Sequence, residues 1–573
     1  MMHLQLRYTI LVISIGMLLG GAALGASTQA GFGVVSVVET DFLAGDGALI
    51  HSTLQTPTYA SAANRLPGVL VIHGSLQSKE WLMAFGIELA RRGFVVLTID
   101  ANGHGNSDKG TSGGTAALEY LAALSTVDAS QIGIVGHSMG GGIALRAINE
   151  SSTVVNALVL VGSGVGRYSN TTYPRNLMVA VGDFDSLSAY PSNTTLLSSV
   201  FGVPQPQPGV LYGDFGTGSA RKLVLSDTNH LFETIDPVII SATIEWMKDS
   251  LKGGVEDSHW TPSSQTIYGW WLLGGLVSTA GAVLSVFPLL TILIRTKWFG
   301  QLRREPEYVN AASRRQYLRA GTLYGLISVI GFYPLLAVGT MVQLVVPFPQ
   351  YQGLPVLFWI AGTAVISLLA LPVILRDREE PGRVWRELRE VVPGQKDGMR
   401  PILMTFLLAL TVVAWLYAWT LIVDLSTSLD LRCFLPGMND LTLSRALIAP
   451  IYAAVFFLYF LVEGMWLMGA MRTRARTGWI QGQLAWSVEA VFIKCIPFAL
   501  LILLEFGGGL LLSVAIVPGI AGYSFLFFYA FLPWFAVSSV LTVWCYRETG
   551  SYYLAAMVNA MLFGWLMATI LAF

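Results

Sequence analysis

Apolar and polar residues are patterned in two different ways along this chain, and the change falls near residue 253. Before it, apolar stretches are short, rich in β-branched residues and separated by segments with helical spacing. Residues 34–40 and 48–54 read as a strand pair around the turn Gly45-Asp46-Gly47. Residues 69–72, 94–99, 132–135, 154–161, 177–181 and 222–225 read as buried strands, because short apolar runs bounded by turn residues fit strands covered on both faces. Helical spacing appears at 81–92, 116–124 and 237–248, and the small-residue stretch 141–148 starts another helix. Strands alternating with helices predict a doubly wound, mostly parallel sheet, an α/β fold over residues 31–252. Such sheets carry their sites at the carboxyl ends of the strands.

After a polar linker at 253–266 the apolar runs lengthen to 267–294, 319–346, 354–375, 401–423, 446–470, 487–516, 522–545 and 552–573. Each is long enough to cross a hydrocarbon core of about 30 Å. Residues 267–573 are therefore expected to form an all-α polytopic membrane domain of eight helices, with 487–516 tilted or broken near Gly507-Gly508-Gly509. At the other end, His3 and Arg7 precede an apolar run at 8–24 and small residues at Ala22, Ala23, Ala26 and Ala30. Residues 1–30 read as a signal peptide or signal anchor, the short run and small residues favouring cleavage, and either form exports the segment that follows.

Composition agrees with this division. Of 573 residues, 54% are hydrophobic and 12% charged, about half the charged share of a typical soluble chain. A net charge of -1 gives no reason to expect nucleic acid or another electrostatic partner. Cys433, Cys495 and Cys545 all lie in the C-terminal half, so the first half has neither a disulfide framework nor a thiolate metal site. No His, Asp and Glu cluster at ligand spacing is visible, and neither a metal nor a cofactor is expected.

The chemistry concentrates where strands end. Residues 132–135 run into Gly136-His137-Ser138-Met139-Gly140 and then into the small-residue helix. A serine on a sharp strand-to-helix turn projects its hydroxyl, and the flanking glycines remove Cβ atoms that would block the turn. The helix N-terminus supplies unpaired N–H groups where an oxyanion would form. Asp185 follows the strand at 177–181, with Asp183 as the alternative acid in the same loop, and His230 follows the strand at 222–225. A serine hydroxyl needs an imidazole to take its proton, and the imidazole needs a carboxylate to fix its tautomer. His73-Gly74-Ser75 and the stretch from Asp100 to Ser107 close two further strands.

These motifs and their order resemble the α/β-hydrolases, serine hydrolases of the dienelactone hydrolase and esterase kind. The resemblance covers about 220 residues. It implies Ser138 as nucleophile, His230 as base and Asp185 as acid, the usual glycine-to-acid spacing from Gly182 preferring Asp185 to Asp183. It also implies an oxyanion hole from the backbone N–H groups of Ser75 and Met139. The family's D-x-R-G-H-G-x-S turn is matched from Asp100 onward, except that Asn102 stands where arginine is usual. His73, His104 and His137 read as packing members of their turns. Residues 162–176 are too short for a cap domain, and the insert between Asp185 and Arg221 reads as a helix plus irregular loop, so a poorly covered site is expected.

The expected activity is cleavage of a small-molecule or lipid ester, or a related acyl bond, through an acyl-enzyme. The alternatives are a transporter or channel with a non-catalytic ligand-binding domain, and a membrane acyltransferase. Glu463 and Lys494 lie inside apolar runs and form a possible intramembrane pair, whereas Glu505 is too far along its helix to share it. Basic residues crowd the loops 295–318, 376–400 and 471–486, and Arg547 precedes the last run; the loops 347–353, 424–445 and 517–521 are nearly free of them. Because Lys and Arg mark cytoplasmic loops, the hydrolase region is expected outside the cytoplasm. Asn170-Thr171-Thr172 and Asn193-Thr194-Thr195 would then be exposed glycosylation acceptors.

Overall fold

The computed structural model describes residues 4–185, 187, 194–304, 312–376, 399–432, 434–471, 479–512 and 525–573. Cys433, Asn193, most of the basic loop 376–400, Arg472, Arg474 and Arg476, and the loop 517–521 lie outside the described residues.

Helix α1, Leu4–Gln29, leads directly into the sheet. The strands are β1 Val35–Leu43, β2 Leu49–Pro57, β3 Leu66–Ile72, β4 Val95–Ile99, β5 Val127–His137, β6 Ala157–Val161, β7 Leu177–Gly182, β8 Leu211–Tyr212 and β9 Arg221–Ser226. They form one sheet in the order β1-β2-β4-β3-β5-β6-β7-β9-β8. From β4 through β9 the pairings are parallel, while β1, β2 and β8 add antiparallel strands at the two edges. The two-residue strand β8 carries no alternating pattern of its own, which is why the sequence reading passes over it.

Both sheet faces are covered, as the continuous apolar runs require. Leu70 and Ile72 of β3 pack with Leu118 and Leu121 of α3, Gly113–Ala123, and with Ala144 of α4, Met139–Glu150. Val69 and Val71 point the other way, against Phe85 of α2, Met83–Ala90, and Ile240 and Ile244 of α6, Pro237–Leu251. Helix α6 starts cleanly because Asp236 accepts the N–H groups of Val238 and Ile239 and Pro237 needs no donor partner. A short helix α5, Thr194–Phe201, occupies the insert after β7.

The C-terminal half comprises α7 Tyr268–Leu293, α8 Arg314–Ile330, α9 Phe332–Gln343, α10 Gly353–Leu375, α11 Arg400–Thr427, α12 Leu443–Gly464, α13 Trp479–Leu512, α14 Phe525–Thr549 and α15 Tyr553–Ile570. Helices α8 and α9 meet at Gly331 and make one crossing, and α12 continues as a π-helical turn to Ala470. With α1, nine segments among the described residues are long and apolar enough to cross a membrane, which points to a membrane protein. Helix α13 is unbroken from Trp479 to Leu512, so its length is taken up without a break at Gly507. It starts earlier than expected, placing Lys494 well inside the span.

Helix α1 pairs antiparallel with α7. A Cβ on Gly21 would come within 2.5 Å of the Gly274 carbonyl oxygen, and one on Gly281 within 2.5 Å of the Ser14 oxygen. Small residues are what allow two backbones to approach so closely where lipid gives no hydrophobic drive to pair them. The polar stretch between α6 and α7 is fastened to the sheet domain. Arg92 donates to the carbonyls of Thr261, Pro262 and Gln265, and Glu88 accepts the N–H groups of Ile267 and Tyr268 that open α7.

Candidate active site at the seam of the two halves

Strand β5 ends in the turn that presents Ser138, whose φ of 52° and ψ of -118° lie outside the regions favoured by side-chain-bearing residues. Neighbouring glycines make the turn possible. A Cβ on Gly140 would sit 2.1 Å from the Ile72 carbonyl oxygen, and one on Gly136 would sit 2.6 Å from that of Gly140. Gly74, at the end of β3, approaches equally closely, since its Cβ would lie 2.9 Å from that of Ser138.

His230 Nε2 lies 2.9 Å from Ser138 Oγ, and His230 Nδ1 lies 2.8 Å from Asp185 Oδ2. A carboxylate at Nδ1 keeps the proton there and leaves the Nε2 lone pair facing the serine hydroxyl. Asp185 is itself held, its Oδ1 accepting the Leu187 N–H at 2.8 Å. Asp183 is exposed, and its carboxyl is shifted above the usual range by desolvation and by Asp227; the histidine contact belongs to Asp185. Ser75 lines the same pocket as Ser138. Met139 opens α4, where an N–H has no carbonyl one turn back to receive it.

A further acid sits behind the imidazole. Glu233 is fully buried, accepts the Gly182 N–H at 2.7 Å, and lies 3.7 Å from His230 Nδ1 and 3.4 Å from His137 Nε2. Burial, reinforced by Asp185 beside it, raises its carboxyl well above the usual range. Both causes favour the neutral form of Glu233 beside Asp185. Gly162, at a φ of +53°, makes room for it, because a Cβ there would stand 2.0 Å from Glu233 Oε2. The sequence signal was its position three residues after His230, on the same turn. His137, His230 and Glu233 bring one ligand-type atom each within 4.8 Å of one another. Their nitrogens, however, face Asp185 and the His230 carbonyl oxygen. Burial, followed by His230, pushes His137 down to about 3, so it is a neutral packing group.

Cover for the site comes from the other half of the chain. Gly74, Ser75, Gln77, Ser138 and His230 form one side of a narrow pocket, and Pro436, Phe527, Tyr529, Ala530 and Ile570 form the other. The expectation of a poorly covered site is thus corrected. The short segment 162–176 supplies no cap, but the ends of α14 and α15 and the loop before α12 take its place.

This roof is locked down by a buried charge cluster. Arg432 reaches Asp100 at 3.1 Å, Glu80 at 2.8 Å and Asp430 at 2.5 Å, and Lys79 pairs with Glu80 at 2.7 Å and Glu39 at 2.9 Å. Burial would push the Asp100 carboxyl up, but Arg432 and then Lys79 outweigh it and hold it below the usual range. The turn that carries Asn102 in place of arginine is thus served by a guanidinium from the membrane half. The same turn is held at Asn106, which bonds Asn439 and Asp440, and at Gly103, whose carbonyl accepts from Arg445 and from the Phe573 N–H. His73 and His104 are lowered chiefly by burial, His104 to about 4, and pack edge to face in this region.

Away from the seam, the structure brings Glu463 and Lys494 to 2.6 Å, both buried. Tyr324 donates to Glu463, Lys494 donates to Ser538, and the ammonium lies over the Phe460 and Phe535 rings. It does not snorkel to an interface.

Comparison with known proteins falls on the first half. The family model described as serine aminopeptidase, S33, matches residues 65–189. Over 107 residues the chain is 36% identical to Lipase 1 of Moraxella sp. (strain TA144), covering 18% of this chain and 34% of that protein. Over 143 residues it is 34% identical to the bis(hydroxyethyl) terephthalate hydrolase of Streptomyces coelicolor, covering 24% of this chain and 43% of the relative. The chain thus spans less than half the length of these relatives. Among solved structures, the Pyrococcus furiosus esterase Pf2001 overlaps 38% of this chain and 92% of its own, at 16% identity and a TM-score of 0.30. Sheet order, elbow and matched segment together make the N-terminal half an α/β-hydrolase of the serine-hydrolase kind. The C-terminal half adds to it a helical region whose described helices are long and apolar enough to cross a membrane.

Proposed function

We propose that the protein is a membrane-bound serine hydrolase that cleaves carboxylic esters through an acyl-enzyme. The observation that carries this reading is the continuous chain from Ser138 Oγ through His230 to Asp185, at 2.9 and 2.8 Å. His230 takes the serine proton as Oγ attacks the ester carbonyl, and the N–H groups of Ser75 and Met139 receive the developing oxyanion. His230 then protonates the leaving alcohol, and water repeats the sequence to free the acid. Asp185 holds the imidazole and stabilises its cationic form, and Glu233, its carboxyl raised by burial, lies behind it. The names of the relatives, a lipase and a terephthalate-ester hydrolase, favour esters over other acyl bonds. The test is ester turnover by the purified full-length protein in detergent, with a short-chain p-nitrophenyl ester as substrate. His230→Ala should abolish it; turnover unchanged in that variant would refute the assignment.

The same reading places the hydrolase region outside the cytoplasm. In its support, the C-terminal end of α1 and the N-terminal end of α7 both adjoin the sheet domain, and basic residues collect at the opposite ends. Arg295 after α7 pairs with Glu548 at the end of α14, 2.9 Å away, and Phe573 at the chain's end returns to Gly103. The nine candidate spans among the described residues would bring Phe573 to the hydrolase side, which agrees with that last contact. In intact cells, a cysteine introduced at exposed Asp214, in a form whose native cysteines are replaced, should react with a membrane-impermeant thiol reagent. Labelling only after lysis would put the region in the cytoplasm.

A further inference from the structure

We infer that the site draws its substrate from the bilayer: a membrane lipid bearing a long-chain carboxylic ester, its acyl chain lodged against the roof and its ester carbonyl at Ser138. This rests on the reading of Ser138 as the nucleophile. The roof residues Phe527, Ala530 and Ile570 stand in the first two turns of α14 and at the last residue of α15, where these helices end against the hydrolase domain. With Pro436 and Tyr529 they present a largely apolar wall opposite the serine, and Leu76, Trp81 and Leu231 continue the apolar lining on the hydrolase side. Such a wall at the span ends suits a lipid ester, because its chain can pass from bilayer to apolar protein surface without desolvating polar groups, whereas a polar wall would have to be desolvated without return. The roof is not a mobile flap by construction, since Arg432 and Arg445 pin its loop to the hydrolase turn. The entry route inferred for the lipid runs between the span ends that carry Phe527, Ala530 and Ile570.

Chemically, the bond formed is Ser138 Oγ to the acyl carbon, and the bond broken is the ester C–O. The serine proton passes through His230 Nε2 to the departing lipid alcohol. Water then gives its hydroxyl to the acyl carbon and its proton, by way of His230, back to Ser138, releasing a fatty acid.

The experiment uses the full-length protein in proteoliposomes that contain a palmitoyl ester lipid with a labelled acyl chain. In parallel arms the same lipid is supplied only in separate protein-free vesicles, and a butyryl p-nitrophenyl ester is supplied in solution. A fluorophosphonate label on each preparation reports whether Ser138 is reactive. The expected result is release of palmitate from lipid in the same bilayer, with much slower release from separate vesicles. Ala530→Trp, which fills the wall, should lower palmitoyl turnover relative to butyryl turnover by about tenfold or more, the scale on which pocket shape discriminates apolar groups. If Ala530→Trp fails to fold, as loss of the label would show, Ala530→Leu serves in its place. Three outcomes overturn the inference while leaving the hydrolase reading standing: butyryl turnover with no palmitate released, equal rates from both vesicle arms, or parallel loss of both activities in a variant that still labels. Failure of the wild type to label would remove the nucleophile and the inference with it.

Discussion

The two halves of this chain handle polar groups in opposite ways. In the α/β half, charged and hydrogen-bonding side chains are plentiful, and Ser138, Asp185 and His230 meet beyond the carboxyl ends of β5, β7 and β9, where strand termini leave space. In the membrane half an ionisable group inside a span survives by compensation, as Glu463 and Lys494 do at 2.6 Å with Tyr324 and Ser538 around them. Between these regimes lies the seam, where Arg432, Lys79, Glu80 and Asp100 are as buried as a core yet all charged. The difference shows where chemistry resides in a two-part protein of this kind. On the proposed reading, the reactive groups come from the polar half, and the wall that faces them comes from the apolar one.

The largest effect should fall on catalysis and leave the fold untouched. Ser138→Ala should cut ester turnover by on the order of 10⁴-fold or more, with thermal unfolding unchanged. Asp185→Asn should come close to that loss, because the imidazole is then free to present the wrong tautomer, and Asp183→Asn should stay near wild type. Steady-state rates of the two asparagine variants rank them directly, and the reverse order would transfer the acid to Asp183.

Next in size are the buried charges, which set seam against span. Arg432→Met strands Asp100 and Glu80 without their guanidinium and should cost about 3–5 kcal/mol, read as a lowered unfolding midpoint in detergent. Lys494→Met should be comparably damaging, and the double variant Glu463→Leu with Lys494→Met should recover most of the loss, since no lone charge is left in the span. A double variant as unstable as the single one would mean that the pair does more than cancel its own burial.

Smaller effects depend on pH. Glu39 is held down to about 2 against its usual 4.5, with Lys79 and His51 overcoming the burial that would raise it, and Asp100 is depressed too. Depressed carboxyls contribute stability that is present above their unfolded-state values and lost as pH falls through the folded ones. The unfolding temperature should accordingly drop between pH 4.5 and about 2. Glu233 has the opposite sign. Its raised carboxyl favours the fold below the ordinary glutamate range and ceases to do so as pH rises. Glu233→Gln keeps a neutral side chain of the same shape, so its stability relative to wild type should improve steadily from pH 4.5 toward neutrality. A difference independent of pH would show that Glu233 is ionised in the fold.

What could be read from the chain follows from the range of the interactions involved. β3, β6 and β7 are announced by unbroken apolar runs, and Ser138, Asp185 and His230 stand directly after strands, so local pattern and chain order suffice to propose them. Glu233 was missed although it lies one turn past His230, because its role appears only when β7 and β9 pair and bring Gly182 against it. Arg432 lies in the loop 424–445, which has few basic residues, and nothing nearby in sequence signals that Asp100 and Glu80 are its partners. The roof was invisible for the same reason. Phe527, Ala530 and Ile570 read as ordinary span residues until the ends of α14 and α15 meet the elbow. The pairing of α1 with α7 depends on Gly21, Gly274 and Gly281 facing one another, which composition alone does not reveal.

The most direct test of the central claim is peptide mapping of the adduct formed when the full-length protein reacts with a fluorophosphonate. The account predicts a single modified peptide carrying Ser138, with labelling slowed by orders of magnitude in His230→Ala, whose imidazole would otherwise sit 2.9 Å from the serine oxygen. An adduct on another residue, or labelling of Ser138 at an undiminished rate without His230, would contradict it.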